Sequence, residues 1–454
     1  MTKKTVLLFL SFSALIFSYG QTRQEQQVIK SIDNLISSRL GKISPGCAVL
    51  IAKNGHIFYQ KAFGVADLEL HVPAQPNMVF RIGSITKQFT AVAILQLMER
   101  GKISVQDSLQ KFIADFPAKG HTITIEDLLT QTSGIPDYLN LDFNVPNPFR
   151  IDFTPRQIID SLKKLPLEFV PSSKFVYSNS NYFLLGCIIE MVSGLTYKEY
   201  LKQNIFTPLG LKNTYYDDPA EIIPDRVKGY EKANNKYSNA DFISMAGFYS
   251  AGALLSNTED LYKWNTALID HRLLKKETLD KAFEPKKLTN KTLSGYGYGW
   301  FIRQIEGSKS VEHGGSIFGF RAEEIYLPNE NIYVTGLFNA RQPNTDEQEL
   351  CYDIAKMMLG KTVDKEITPG DDILKDYVGT YQLTNASRKI IITQEKEVLI
   401  ANAVGQGSWP LTFQSETKFK IKGVAATGEF IKENGITTKI IIQQNGEYVW
   451  NKVK

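Results

Sequence analysis

Ser84 and Lys87 stand three residues apart at the head of the most apolar helical stretch of the mature chain, Ala91-Val92-Ala93-Ile94-Leu95. That spacing puts both side chains on one helix face, about 5–6 Å apart at Cβ, so an amine that has lost its proton can take one from the hydroxyl. Burial disfavours the ammonium, and the positive end of the helix dipole acts in the same direction. The chemistry implied is a serine nucleophile beside its own base. Spacing alone is weak support, because Ser108 and Lys111, Ser161 and Lys164, and Ser415 and Lys418 repeat it. The first two pairs lie in amphipathic polar stretches and the third where alternation favours a strand, so these read as solvated residues. Two further motifs follow Ser84. Tyr177-Ser178-Asn179 lies on a loop entering the apolar run Tyr182 to Ile189, whereas Tyr138 and Asn140, and Tyr237 and Asn239, repeat the spacing in polar loops. His313-Gly314-Gly315 falls between strand signals, where absent side chains let a ligand approach the backbone.

The elements that must position these residues follow from the patterning. Residues 23 to 40 repeat Val28, Ile32, Leu35 and Ile36 at helical spacing, and the runs Cys47 to Ile51 and Ile57 to Tyr59 flank Asn54-Gly55, a strong hairpin signal. Helical patterns dominate from Ser84 to about Ile269. Strand patterns return at Tyr296 to Ile302, Phe320 to Leu327 and Ile332 to Phe338, and a helix is expected from about Glu347 to Leu359. Strands from both ends of this region with helices between them predict an α+β fold, an α/β/α sandwich, with one mainly antiparallel sheet flanked by helices and a helical insert. A cleft between sheet and insert is the natural place for a site. Residues 361–372 have a polar linker composition. Beyond them Tyr377 to Leu383, Lys389 to Thr393, Val398 to Ala401, Phe419 to Lys422, Thr438 to Gln443 and Tyr448 to Val453 read as short strands of a small all-β barrel or sandwich, with turns that include Asn445-Gly446. The expected division is a signal peptide over 1–20, a main domain over 21–360, the linker, and a β-domain over 373–454.

Composition fits this frame. The chain has 454 residues, 43% apolar and 11% aromatic, ample for a sizeable core. Its formal charge of +4 includes Lys3 and Lys4, and no basic run interleaves with aromatics, so nucleic acid is not an expected partner. The basic start, the apolar run Val6 to Phe17 and the small residues Ser18 and Gly20 predict a secretory signal cut after Gly20, an exported protein in the periplasm or medium, and no transmembrane anchor. Cys47, Cys187 and Cys351 are too few and too scattered for a disulfide framework, and the five histidines show no zinc-site spacing. Neither metal nor cofactor is called for.

Taken together and in this order, the three motifs resemble those of the serine β-lactamase and penicillin-binding-protein superfamily, in its class C-like branch with D-alanyl-D-alanine carboxypeptidases and esterases. The resemblance runs from about Ile43 to about Gly360 and includes Phe80 to Ala91, Leu128 to Pro136, Tyr177 to Tyr182 and Pro208 to Leu211. It implies that Ser84 attacks a carbonyl to form an acyl-enzyme and that Lys87 and Tyr177 share the proton work, with Tyr177 delivering a proton to the leaving group. It also implies that Asn179 holds the lysine and a substrate amide, that His313, Gly314 and Gly315 border the substrate, and that the backbone N–H groups of Ser84 and Ser316 form the oxyanion hole. Many β-lactamases carry lysine at the position of His313. A histidine with a reference pKa near 6.5 is mostly neutral at pH 7, so efficient β-lactam hydrolysis is not expected. D-alanyl peptides, esters or amides, including cell-wall peptide, are the expected substrates. Gln131 stands where relatives often have histidine, and the sequence attaches no function to it.

Two other readings compete. A Ser84–His313–acid triad lacks the Gly-x-Ser-x-Gly elbow and leaves Lys87 and Tyr177 without roles. An acylatable penicillin-binding sensor with little turnover uses the same residues, with the β-domain as an interaction module.

Overall fold

The computed structural model describes residues 23–40, 44–233, 236–340, 347–363, 367–384, 386–403, 407–422, 426–443 and 447–453. The expected signal segment and the Asn445-Gly446 turn lie outside them. The chain divides into two compact units after Lys361.

The first unit opens with a helix over 23–39 (α1), then the hairpin strands β1 (Cys47–Lys53) and β2 (His56–Phe63). Asn54 and Gly55 supply the two positive φ angles, 53° and 79°, that a two-residue turn matched to strand twist requires. Helices α2 (Thr86–Glu99) and α3 (Asn179–Ser193) follow, then strands β3 (Phe301–Ile305), β4 (Ser308–Ile317), β5 (Phe320–Leu327) and β6 (Ile332–Phe338), and helix α4 (Glu347–Met358). The six strands form one antiparallel sheet in the order β3-β4-β5-β6-β1-β2. β1 is buried on both faces, which explains its unbroken apolar run. Cys47, Val49 and Ile51 pack with Ile32 and Ile36 of α1 and with Leu350 and Ile354 of α4. Ala48 joins the larger core built around α2 and α3 on the opposite face. Every residue of α2 from Thr86 to Leu97 is buried, so tertiary packing rather than an amphipathic surface stripe stabilises it.

Two expectations shift. The strand read at Tyr296 to Ile302 is observed at Phe301–Ile305, because Gly295 and Gly299, at φ 74° and 99°, turn the chain before it. β4 was not read as a strand, since its paired glycines lower strand propensity; its two neighbours supply the ladder regardless.

The second unit is a closed barrel of eight strands, β7 (Gly379–Leu383), β8 (Lys389–Glu395), β9 (Val398–Ala403), β10 (Gly407–Phe413), β11 (Lys418–Ile421), β12 (Thr427–Glu433), β13 (Ile436–Gln443) and β14 (Glu447–Val453), closed by pairing of β7 with β14. β10 and β12 were missed in the sequence. Gly407 and Pro410 in one and Gly428 in the other blunt their strand signal. Tyr377, read as opening a strand, instead ends helix α5 (Asp371–Tyr377) and stacks on Phe430 with ring centroids 3.9 Å apart. Leu374 and Tyr377 thereby join the barrel's own core.

Candidate active site

Ser84 lies in a single 3-10 turn, Gly83–Ile85, that runs straight into α2, and Lys87 is one turn further on. Lys87 is fully buried. Its Nζ lies 3.1 Å from Ser84 Oγ, 2.8 Å from Asn179 Oδ1 and 2.8 Å from the Ala251 carbonyl oxygen, and 4.8 Å above the Tyr177 ring. Burial pushes its pKa down from 10.5 to about 7, against the opposing pull of the Asp137 carboxylate. A neutral amine has two N–H donors and one lone pair. With Asn179 Oδ1 and Ala251 O taking the donors, the lone pair is left facing Ser84.

Tyr177 and Asn179 come from the loop and first turn leading into α3. Burial raises the Tyr177 phenol well above its ordinary value; a hydrogen bond with Ser84 offsets part of this, and Asp137 adds to it. The phenol therefore keeps its proton while Lys87 exchanges one near neutrality. Both ends of the Asn179 amide are engaged, Oδ1 by Lys87 and Nδ2 by Asp137 Oδ2 at 2.8 Å. Asn179 thus fixes the lysine, and its amide keeps a second N–H donor and a second lone pair.

The third wall is β4. Its neighbour β3 pairs only as far as Glu312, so the stretch from His313 to Ile317 has one open edge. In an antiparallel ladder hydrogen-bonded and non-hydrogen-bonded pairs alternate. Counting back from the Ile317–Phe320 pair that closes the tight turn, Ser316 aims its N–H at that open edge. A Cβ on Gly315 would lie 1.9 Å from the Ile82 carbonyl oxygen, and one on Gly83, at φ 51°, would lie 2.9 Å from Ser316 N. Only glycines allow the Ser84 turn and the strand to approach so closely. Ser316 itself is exposed.

His313 is only 2% exposed. Its Nδ1 lies 2.7 Å from the Gly314 carbonyl oxygen, and since a carbonyl only accepts, Nδ1 carries the hydrogen. Nε2 is then an acceptor and takes the Tyr296 hydroxyl at 3.0 Å. Burial, reinforced by the charge of Lys87, pushes the ring's pKa down to about 3 although the Gly314 carbonyl pulls the other way. The imidazole is neutral at pH 7.

Gln131, given no role from sequence, is a strut of the site. It is fully buried at φ 60°. Its carbonyl oxygen accepts from Val176 N at 3.1 Å, and its side-chain Oε1 accepts from Ser178 N at 3.1 Å and from Asn181 Nδ2 at 2.6 Å. These bonds clamp the backbone on both sides of Tyr177. Asp137, the Ala251 carbonyl and Tyr296 were missed as well. Asp137 alone had a signal, following directly on the Leu128 to Pro136 motif. Of the decoys, Tyr138 is a core residue that donates to the Gly247 carbonyl.

A cavity of about 650 Å³ lies elsewhere, between residues such as Met78, Phe242 and Phe320, and contains none of these groups. Its cations are paired, Arg81 and Arg226 with Asp217 and Lys228 with Glu69.

Known proteins resemble this chain in sequence and in fold. The Beta-lactamase family model matches residues 32–356. Penicillin-binding protein 4* of Bacillus subtilis is 28% identical over 422 residues, 88% of this chain and 92% of that protein. The putative penicillin-binding protein PbpX of the same organism is 31% identical over 62% of this chain and 68% of its own length. Among solved structures, the octameric penicillin-binding protein homologue from Pyrococcus abyssi superposes with a TM-score of 0.68 at 27% identity, covering 94% of this chain and 99% of that one. A D-stereospecific amidohydrolase from Streptomyces sp. shares the fold, with a TM-score of 0.64 at 24% identity over 74% of this chain and 99% of that one. The match spans the sheet, α2, α3 and nearly all of α4, and so takes in every group gathered around Ser84: this chain belongs to the β-lactamase family.

Proposed function

We propose that the protein is an exported serine hydrolase that works through an acyl-enzyme on Ser84. The observation that carries this is the fully buried Lys87, whose two N–H donors are occupied and whose lone pair faces Ser84 Oγ at 3.1 Å. Neutral Lys87 takes the Ser84 proton as Oγ bonds to the substrate carbonyl carbon. The oxyanion of the tetrahedral intermediate accepts from the Ser84 and Ser316 N–H groups, a contribution of roughly 3–4 kcal/mol for one such donor. Tyr177 gives its hydroxyl proton to the leaving oxygen or nitrogen as that bond breaks, and the Lys87 ammonium returns a proton to Tyr177. Water then repeats the sequence on the acyl-enzyme, with Lys87 as its base. The neutral His313 offers no permanent cation to a β-lactam carboxylate, which favours esters, amides and D-alanyl derivatives over β-lactams.

Intact-mass measurement with p-nitrophenyl acetate and with a fluorescent penicillin tests the reading. A transient adduct on Ser84 with repeated turnover of the ester is expected, and slower turnover of the penicillin. An adduct that persists without product would favour the sensor reading. An adduct of the same mass on Ser84→Ala would refute both. Cleavage after Gly20 on secretion would appear in the mass of the mature protein.

A further inference from the structure

The direction in which the leaving group departs is set by the residue that protonates it. Tyr177 stands on the His313 side of Ser84, with ring centroids 6.1 Å apart, so the leaving group exits toward His313 and the start of β3. Rings line that side. Phe301 lies parallel to Tyr177 at 6.3 Å with 8° between the planes, and 5.3 Å from His313. Phe175 packs edge-on to Phe301 at 6.2 Å and lies 5.6 Å from Tyr296. Tyr296 and His313 are buried behind them, whereas Phe175, Tyr177 and Phe301 are partly exposed and reachable.

His313, Lys87 and Arg303 beside these rings all have partners. Both nitrogens of His313 are engaged, by Gly314 O and by the Tyr296 hydroxyl. Lys87 is fully buried beneath Ser84. Arg303 places its guanidinium 4.3 Å from the Phe301 ring, but its Nη1 donates at 2.8 Å to Glu312 Oε1, on a carboxylate with no solvent exposure. Removing Arg303 from that pair would leave the buried Glu312 carboxylate without its ion pair and with the Tyr352 hydroxyl as donor, a costly exchange.

We infer that the leaving-group side of the Ser84 site is an uncharged aromatic subsite, walled by Phe175, Tyr177 and Phe301 against His313, that takes an apolar, preferably aromatic, alcohol or amine and disfavours one bearing a free carboxylate. The inference rests on the acyl-enzyme reading and on Tyr177 as the leaving-group acid. It divides the substrates named above: esters and amides with neutral apolar leaving groups are favoured, and peptides ending in a free carboxylate are the poorer substrates. The bond formed is Ser84 Oγ to carbonyl carbon, the bond broken is carbonyl carbon to leaving oxygen or nitrogen, and the leaving group departs neutral with the Tyr177 proton.

The test holds the acyl part constant and varies the leaving group. N-acetyl-D-alanine would be supplied as its benzyl, methyl and 4-carboxybenzyl esters, with kcat/KM measured for each. Benzyl is expected to exceed methyl by about tenfold or more after correction for intrinsic ester reactivity, and to exceed 4-carboxybenzyl. Phe301→Ala should lower the benzyl-to-methyl ratio by about tenfold, and Phe301→Tyr should retain it, which a purely structural role would not produce. A preference for the 4-carboxybenzyl ester, lost in Arg303→Ala, would overturn the inference in favour of carboxylate recognition by Arg303. An unchanged ratio in Phe301→Ala would overturn it as well. Absence of any Ser84 adduct with all three esters would refute the acyl-enzyme reading itself, a distinct failure that takes the subsite with it.

Discussion

At the residue scale the deciding pair is Lys87 and Tyr177, whose protons are held apart by their surroundings. Burial lowers the lysine to about 7 and raises the phenol, so the amine is the group able to accept the Ser84 proton near neutral pH. The sign follows directly: acylation needs neutral Lys87, so its rate should be low at pH 5, climb through an inflection near 7, and level off above it. Rapid-quench mass spectrometry between pH 5 and 9 measures this, and a rate that fell with rising pH would contradict the assignment. Tyr177 has a different signature. Removing its hydroxyl in Tyr177→Phe should slow amide hydrolysis by roughly 10²–10⁴-fold, because an amine needs a proton to depart, while an activated p-nitrophenyl ester loses far less. Equal losses on both substrates would count against a leaving-group acid.

At the element scale a clamp and a buried acid stand beside the site. Gln131 holds the loop before α3 through Val176, Ser178 and Asn181. Gln131→Ala would orphan two donors on buried residues, at about 1–3 kcal/mol each, and loosen Tyr177. The expected outcome is a lower denaturation midpoint together with a fall in kcat; an unchanged kcat would confine Gln131 to stability. The buried acid is on β5, where Glu324 stands opposite His313 in the ladder. Burial pushes Glu324 up from 4.5 to about 8, with hydrogen bonds from Tyr333 and Gln88 lowering it in part. A raised acid contributes stability that is present below its unfolded value and lost as pH rises toward its folded one. The folded protein should therefore lose stability relative to Glu324→Gln between pH 4.5 and about 8, with a slope of at most about 1.4 kcal/mol per pH unit. Urea titrations at several pH values would show parallel curves if Glu324 were ionised in the fold.

At the scale of the whole molecule, the chain carries separate hydrophobic cores. Those of the first unit gather on the two faces of the six-stranded sheet, and that of the second lies inside the barrel around Tyr377, Tyr381 and Phe430. The partners that bond to Lys87 and His313, namely Ser84, Asn179, Ala251, Tyr296 and Gly314, all belong to the first unit. We propose that a chain ending at residue 361 folds and acylates Ser84 at a rate within a few-fold of the full chain. Loss of acylation in a truncated chain that still unfolds cooperatively would mean that the barrel takes part in the site.

What the sequence determined by itself is the family and the layering. The motifs at Ser84, Tyr177 and His313 are local, and strands such as β1 and helices such as α2 announce themselves because burial on every side demands uninterrupted apolar residues. Long-range contacts carry no such signal. The glycines of β4 read as room for a ligand beside the backbone; that they let the strand meet the Ser84 turn shows only in the fold. Gln131 is one polar residue among many until the fold sets it across the Tyr177 loop. Which of Lys87 and Tyr177 holds its proton, and whether His313 is charged, depend on how much water surrounds each group and which partners face it. Those are properties of the packed interior, and only the tertiary structure decides them.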